Sequence, residues 1–377
     1  TRLTCDWSSD VCSSDLTGNR ELIPLMKELI VKNRSLLANA DSLHGMGGRT
    51  AGHVMQWDLL EELSVWTDQE RLDITNALLA DAAIGHERRA FHKQVKEGAV
   101  QALDENHGTF SALRSFQAWH YFDKYYDIPE STYWLACADA VFSAQAGTFQ
   151  ILEDASGYLC YCPMSSMDYA LRRGNLKYFE RGIAQQHARM ISLACINNLG
   201  LNTGFGDSSG LVMPEVFETL APAAWYYRDP NLYWILQNVL PMNCGLRIFQ
   251  KSIALDLSVP PQEPVDWTGL IKIPIYRTPL QKGEATRQAV FAPREIVDDT
   301  LFNKIVFKEN WDRDGHYLLL DGAGVWGGPP GPHGHKHNDI NTIVNFTALG
   351  RMWLVDHTYQ VRQHQHHSSV HVTIDGK

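Results

Sequence analysis

The chain is 377 residues long and carries a formal net charge of -10 at pH 7, with 20% of its residues charged. That length exceeds one small core and sets two domains as the expectation. The acidic balance argues against nucleic acid and acidic membranes as partners, although a locally basic or amide-lined cleft would still admit an anionic substrate. No run of about 18 or more apolar residues occurs, so no segment is expected to span a bilayer as a helix. The 11 Trp and 14 Tyr suit a ring-bearing ligand such as a glycan, and large cores use them equally.

Taken in order, the chain opens on TRLTCDWSSDVCSSDL. These sixteen residues resemble the translation of a sequencing-adapter oligonucleotide, so 1–16 are read as a non-native leader. The natural N-terminus and any signal peptide are then expected to be missing. Setting aside Cys5 and Cys12 leaves Cys137, Cys160, Cys162, Cys195 and Cys244. An odd number without CxxC spacing predicts neither a disulfide framework nor a thiolate metal site.

From 17 to about 257 the pattern is helical. Apolar residues recur at three-to-four spacing in 21–40, 68–105, 131–152, 175–200, 214–227 and 230–254. Gly and Pro clusters such as GMGGRTAG, DIPES, GFGDSSG and YRDPN punctuate them. Helices of similar length joined by short loops predict antiparallel hairpins around a common centre. Near SVPPQEPVDW the character changes, and a linker is placed at 258–266. Beyond it, 271–278, 287–296, 303–310, 316–322, 341–350, 351–362 and 369–375 are short, β-branched and turn-bounded. Helices followed by strands predict an α+β multidomain chain, helical over 17–257 and antiparallel β over 267–377. The sequence stops at IDGK in mid-strand pattern, so the β domain is expected to be incomplete.

Three stretches carry candidate chemistry. Asn106 and His107 open an aromatic-rich helix, where they either point into a cleft or, for Asn106, cap the helix. In ILEDASGYLCY an apolar helix runs out into Asp154, Ser156, Gly157 and Tyr158, with Tyr161 a near neighbour that the sequence does not separate from Tyr158. The region 333–375 holds eight of the chain's 16 histidines. His335, His337 and Asp339 share one face if their segment is a strand. Asp356 ends the next apolar run and His367 opens another. Two histidines and an aspartate from three neighbouring strands suit a divalent metal, zinc first. The competing account is a set of exposed polar loops.

NHGTF, EDASGY, HKHND, WLVDHTY and HHSSVHVTIDGK occur in this order. Together they resemble the heparinase II/III-like polysaccharide lyases, a group that includes oligo-alginate lyases. The resemblance covers nearly everything after the leader. It implies an N-terminal (α/α) toroid followed by an antiparallel β-sandwich, truncated here at its C-terminus. It implies cleavage of a uronic-acid-containing polysaccharide or oligosaccharide by β-elimination. Asn106 and His107 match the residues that neutralise the uronate carboxylate. Tyr158 matches the acid, with Tyr161 its alternative, because the spacing from His107 is slightly short. His335 matches a base or charge stabiliser. His337, Asp356 and His367 match ligands of a zinc ion (Zn2+) that braces the β domain, and Asp339 would orient an imidazole in the surrounding shell. The Ser-Phe pair that often follows HxHxD is absent, and Asn341, Thr342 and Ile343 stand there instead. A periplasmic or secreted location follows from the resemblance as well.

GFGDSSG lines the cleft in some relatives, but a Gly-rich turn capping the next helix is the favoured account here. Arg114, Arg228 and Arg247 either bind substrate carboxylates or are surface charges. Two rival functions stand beside the lyase. A metal-dependent hydrolase would use the His/Asp site to activate water. It leaves Asn106, His107 and Tyr158 without a role, and Ile340 stands where an HxHxDH motif needs His. A glycan-binding protein without catalysis is the other.

Overall fold

The structure is a computed structural model, and it describes residues 24–25, 27–28, 54–55, 57–58, 60–88, 106–147, 155–208, 213–240, 258–265, 269–277, 295–321, 342–356 and 367–368. The chain divides into two compact units: Thr1–Leu103 with His107–Phe142, and Asp104–Asn106 with Ser143–Lys377.

The first unit contains α1 (Asp68–Arg88) and most of α2 (Asn106–Tyr125) and α3 (Ser131–Gln145). A capping box starts α1: the Glu70 carboxylate accepts from Thr67 N at 2.8 Å, and Glu70 N donates to Thr67 Oγ1 at 3.2 Å. Trp57, Trp66, Ile74, Leu78, Tyr121, Phe122 and Trp134 form its core. Both buried indoles find acceptors, Trp57 on Thr75 Oγ1 at 3.0 Å and Trp66 on Leu60 O at 2.8 Å.

Beyond the end of α3, the second unit has a 3-10 turn at Tyr158–Cys160. It runs into α4 (Tyr161–Arg173), α5 (Lys177–Glu180), α6 (Ile183–Ala194), α7 (Pro214–Tyr227) and α8 (Pro230–Asn238). The sequence reading placed no helix at 161–173. Pro163 stands in its first turn, where the missing N–H costs nothing, and Gly174 ends it at φ 72°. The helix expected over 175–200 is broken at Gly182, φ 73°, and gives way to a loop after Ala194. Asp229 caps α8 by accepting from the N–H groups of Asn231 and Leu232 at 2.9 and 3.2 Å. No described helix is long and apolar enough to cross a membrane.

Residues 258–265 form neither helix nor strand. After them five strands make an antiparallel meander in chain order: β1 (Gly269–Arg277), β2 (Glu295–Lys308), β3 (Tyr317–Asp321), β4 (Thr342–Ala348) and β5 (Arg351–Val355). β2 is continuous where two strands, 287–296 and 303–310, were expected. The β4–β5 turn has positive φ at both Leu349 (53°) and Gly350 (68°), the twist that a two-residue hairpin needs.

The core ignores the helix-to-strand change. Phe179, Ile191 and Leu232 from the helices cluster with Val306, Tyr317, Leu319 and Val344 from the sheet. Tyr317 donates its buried hydroxyl to Leu193 O at 2.7 Å. On the sheet's other face two apolar rows run across the strands. One joins Ile305, Leu320 and Ile343, and the other joins Phe307, Leu318, Phe346 and Leu354. Phe307 is 43% exposed and Ile343 is 36% exposed.

Candidate active site

The tyrosine-bearing turn is held from below. Ala155, Ser156, Leu159 and Cys160 are buried, whereas Tyr158 and Tyr161 are half-buried. Their rings meet edge-on at 5.3 Å. Ser156 N donates to Phe205 O at 2.8 Å, which fixes the turn on the loop 195–208.

That loop is built by asparagine side chains that mimic backbone turns. Asn197 Oδ1 accepts from the N–H groups of Leu199 and Leu201 at 2.9 and 3.1 Å. Asn202 Oδ1 accepts from Gly204 N at 3.1 Å, and its amide donates to Ser208 Oγ at 2.8 Å. Thr203 N donates to Cys195 O at 3.2 Å, and Thr203 Oγ1 donates to Ala194 O at 2.6 Å. From the sheet, Asn345 Nδ2 donates to Thr203 O at 3.1 Å. Gly204 has φ 93°, and a Cβ there would lie 3.1 Å from Val355 Cγ2 and 3.2 Å from Asp356 O. Its bare backbone is what allows the loop to touch the end of β5. The glycine-rich stretch is therefore not a helix cap. The N-cap of α7 is Met213, with no side-chain hydrogen bond.

Asp356 follows β5 directly, and its N–H still donates to Val344 O at 2.8 Å. Its Oδ2 lies 2.8 Å from His367 Nδ1, and the His367 and Asp356 side chains are only 1% and 5% exposed. Two of the three expected metal ligands are thus in contact. An imidazole and a carboxylate are a donor set that suits zinc. With Nδ1 on the carboxylate, Asp356 suits either a ligand's place beside His367 or the role of the group that orients it. Among the described residues no cluster of three or more His, Cys, Asp and Glu occurs. His335, His337 and Asp339 lie outside the described residues.

Loop 195–208 therefore seats both the tyrosine turn, through Phe205, and the Asp356–His367 pair, through Gly204. Asn106 is the first residue of α2 and 4% exposed, and His107 follows it in the helix. Arg114 is buried rather than a surface charge, and desolvation lowers its guanidinium to about 10. Arg228 ends α7 with φ 50° and donates to Ser258 Oγ at 3.3 Å. Arg247 lies outside the described residues. Sequence reasoning missed Asn345 and Asn202, which organise the loop. Polar residues at buried positions were the available signal.

No family model matches the sequence, and no curated protein matches it. Solved structures do match in fold. Heparinase III aligns with a TM-score of 0.58 at 9% identity, over 96% of this chain and 52% of that one. Heparan sulfate lyase HepC from Pedobacter heparinus aligns with a TM-score of 0.50 at 14% identity, over 93% of this chain and 47% of that one. The chain has a heparinase-like polysaccharide lyase fold, with mixed helices and antiparallel sheet, and spans about half the length of these structures.

Proposed function

We propose that the chain belongs to a polysaccharide lyase that cleaves a uronic-acid-containing glycan by β-elimination. The observation that carries this reading is loop 195–208, which joins a half-exposed tyrosine pair to an Asp–His pair within a heparinase-like fold. The motif order NHGT, EDASGY, HxHxD and HSSV supports it.

The chemistry follows from the substrate. The uronate C5 proton is weakly acidic while the adjacent carboxylate is negative. Asn106 and His107 donate hydrogen bonds to that carboxylate and stabilise the enolate-like charge as it develops. His335 or a tyrosinate takes the C5 proton. The C4–O4 bond breaks, a C4–C5 double bond forms, and Tyr158 protonates the departing O4. His337, Asp356 and His367 hold a zinc ion whose contribution is structural, bracing the segment that presents His335. Asp339 orients one of the imidazoles.

The helical part is read as an (α/α) toroid and the sheet as one layer of a β-sandwich. The two apolar rows on the sheet's outer face support the second layer, because such rows are normally covered. The substrate is an anionic polysaccharide or oligosaccharide, and the location is periplasmic or secreted.

The test is a panel of uronate polysaccharides followed by near-ultraviolet absorbance. The unsaturated uronide absorbs and a hydrolysis product does not. Wild-type protein and Tyr161→Phe are expected to raise absorbance. Tyr158→Phe is expected to lose roughly 10²–10⁴-fold in rate, the scale of a general acid. Cleavage without absorbance would favour the metal-dependent hydrolase, and equal rates in Tyr158→Phe would remove that residue from the mechanism.

A further inference from the structure

Strand β2 directs two lysines at the helical layer, Lys304 and Lys308, each 1% exposed. Their surroundings differ. Lys304 pairs with Asp321, Nζ to Oδ1 at 2.9 Å, and lies 4.1 Å from the centre of the Phe205 ring. Lys308 Nζ donates to Asn198 Oδ1 at 2.8 Å and sits 3.7 Å from the Trp311 ring and 4.8 Å from the Tyr317 ring. All three partners are neutral. The Tyr317 hydroxyl donates to Leu193 O, and burial holds it well above the ordinary tyrosine range, so it supplies no anion. Cys195 is the neighbouring thiol on the loop side and also bears on Tyr317. The adjacent carboxylate, Glu309, is exposed and pairs with His316 at 2.6 Å, and Lys304 and Asp321 are engaged with each other. Among the described residues no carboxylate forms an ion pair with Lys308.

Asn198 does more than accept this hydrogen bond. Its amide nitrogen donates to the carbonyl oxygens of Asn310, Asp312 and Gly315 at 3.2, 3.0 and 3.2 Å. One side chain from loop 195–208 therefore fills the β2–β3 turn and meets Lys308 at its base. The fit leaves no slack. A Cβ on Gly315 would lie 1.9 Å from Asn310 Oδ1 and 3.1 Å from Asn198 Nδ2.

We infer that Lys308 and Asn198 form a protonation-dependent clasp between the helical layer and the sheet, closed around the neutral amine and loosened when the amine gains a proton. A buried ammonium without an anion is costly, whereas a buried amine with one good acceptor is tolerated. The two ring faces recover only part of that cost. Burial accordingly lowers Lys308 to about 7. An unfolded lysine titrates near ~10.4. Between these values the unfolded chain binds more protons than the folded one, so stability rises with pH across that window. Below about 7 both states carry the proton and the whole penalty remains. The same loop touches Asp356 through Gly204, so the clasp anchors one end of the segment that seats the candidate site. The inference needs nothing from the lyase reading.

Thermal midpoints of wild-type protein and Lys308→Met, measured from pH 6 to pH 9.5, test it. The wild type is expected to gain on the variant by several degrees as pH rises, with the gain beginning near neutrality. Parallel curves would overturn the clasp. If Lys308→Met does not fold, wild-type protein labelled at lysine Cε decides the matter by NMR. One resonance titrating near neutral pH is expected, and titration of every lysine near its ordinary value would overturn the inference.

Discussion

At the scale of single residues, the informative pair is Asp356 and His367. A buried imidazole against a buried carboxylate is a fixed arrangement, because each holds the other's orientation. If they serve a zinc ion, His367→Ala removes one donor from the ligand set. Elemental analysis of purified protein is then expected to fall from about one zinc per chain to near none, since metal affinity depends on the full ligand set. Unchanged zinc content would detach His367 from the site. The pair was legible in the sequence because polar residues bordering apolar runs stand out. The support beneath the tyrosine turn was not legible. Ser156 N–H to Phe205 O is a backbone contact, and backbone contacts leave no residue-type signature.

Among elements, loop 195–208 was the least readable and matters most. Its glycines stood out, but the favoured account made them a helix cap. What the sequence hid is that Gly204 faces β5, a contact made across more than 150 positions of chain and set by tertiary packing. Gly204→Ala forces a side chain into a left-handed backbone with Val355 and Asp356 within 3.2 Å. A loss of about 1–3 kcal/mol is expected, of the order that strained backbone costs, and chemical denaturation measures it. A change within a few tenths of that scale would mean the loop moves freely. Helix α4 escaped notice for a simpler reason. Pro163 and the paired serines weaken the helical signal, although Pro is well placed in a first turn and Ser165 and Ser166 bury their hydroxyls on Tyr161 O and Gln145. Among the described residues the strands fared better, because β-branched runs between turns give a direct signal; the fusion into one long β2 was unforeseen, and the strand expected at 369–375 lies outside the described residues.

For the whole molecule, composition located the change from helix to strand but not the division of the core. Trp311 packs edge-on to Trp234 at 6.2 Å, and its indole donates to Pro264 O at 3.2 Å. Such contacts cross 258–266 and bind the later helices to the sheet. Secondary-structure propensity is local, whereas burial is decided between distant segments, so the two need not agree.

The outward rows of the sheet bear on how the protein behaves in a tube. Ile305, Leu320 and Ile343 lie beside Phe307, Leu318, Phe346 and Leu354, a band of hydrocarbon wider than scattered surface leucines. Sulfate strengthens the drive to bury such a band. Wherever the proposed second layer does not lie over it, the 377-residue chain is expected to brighten a naphthalene sulfonate dye and to precipitate early in ammonium sulfate. Phe307→Glu with Ile343→Lys should weaken both effects and leave the melting temperature nearly unmoved. Those who purify it will meet that band first as a problem of handling, before any enzyme is assayed.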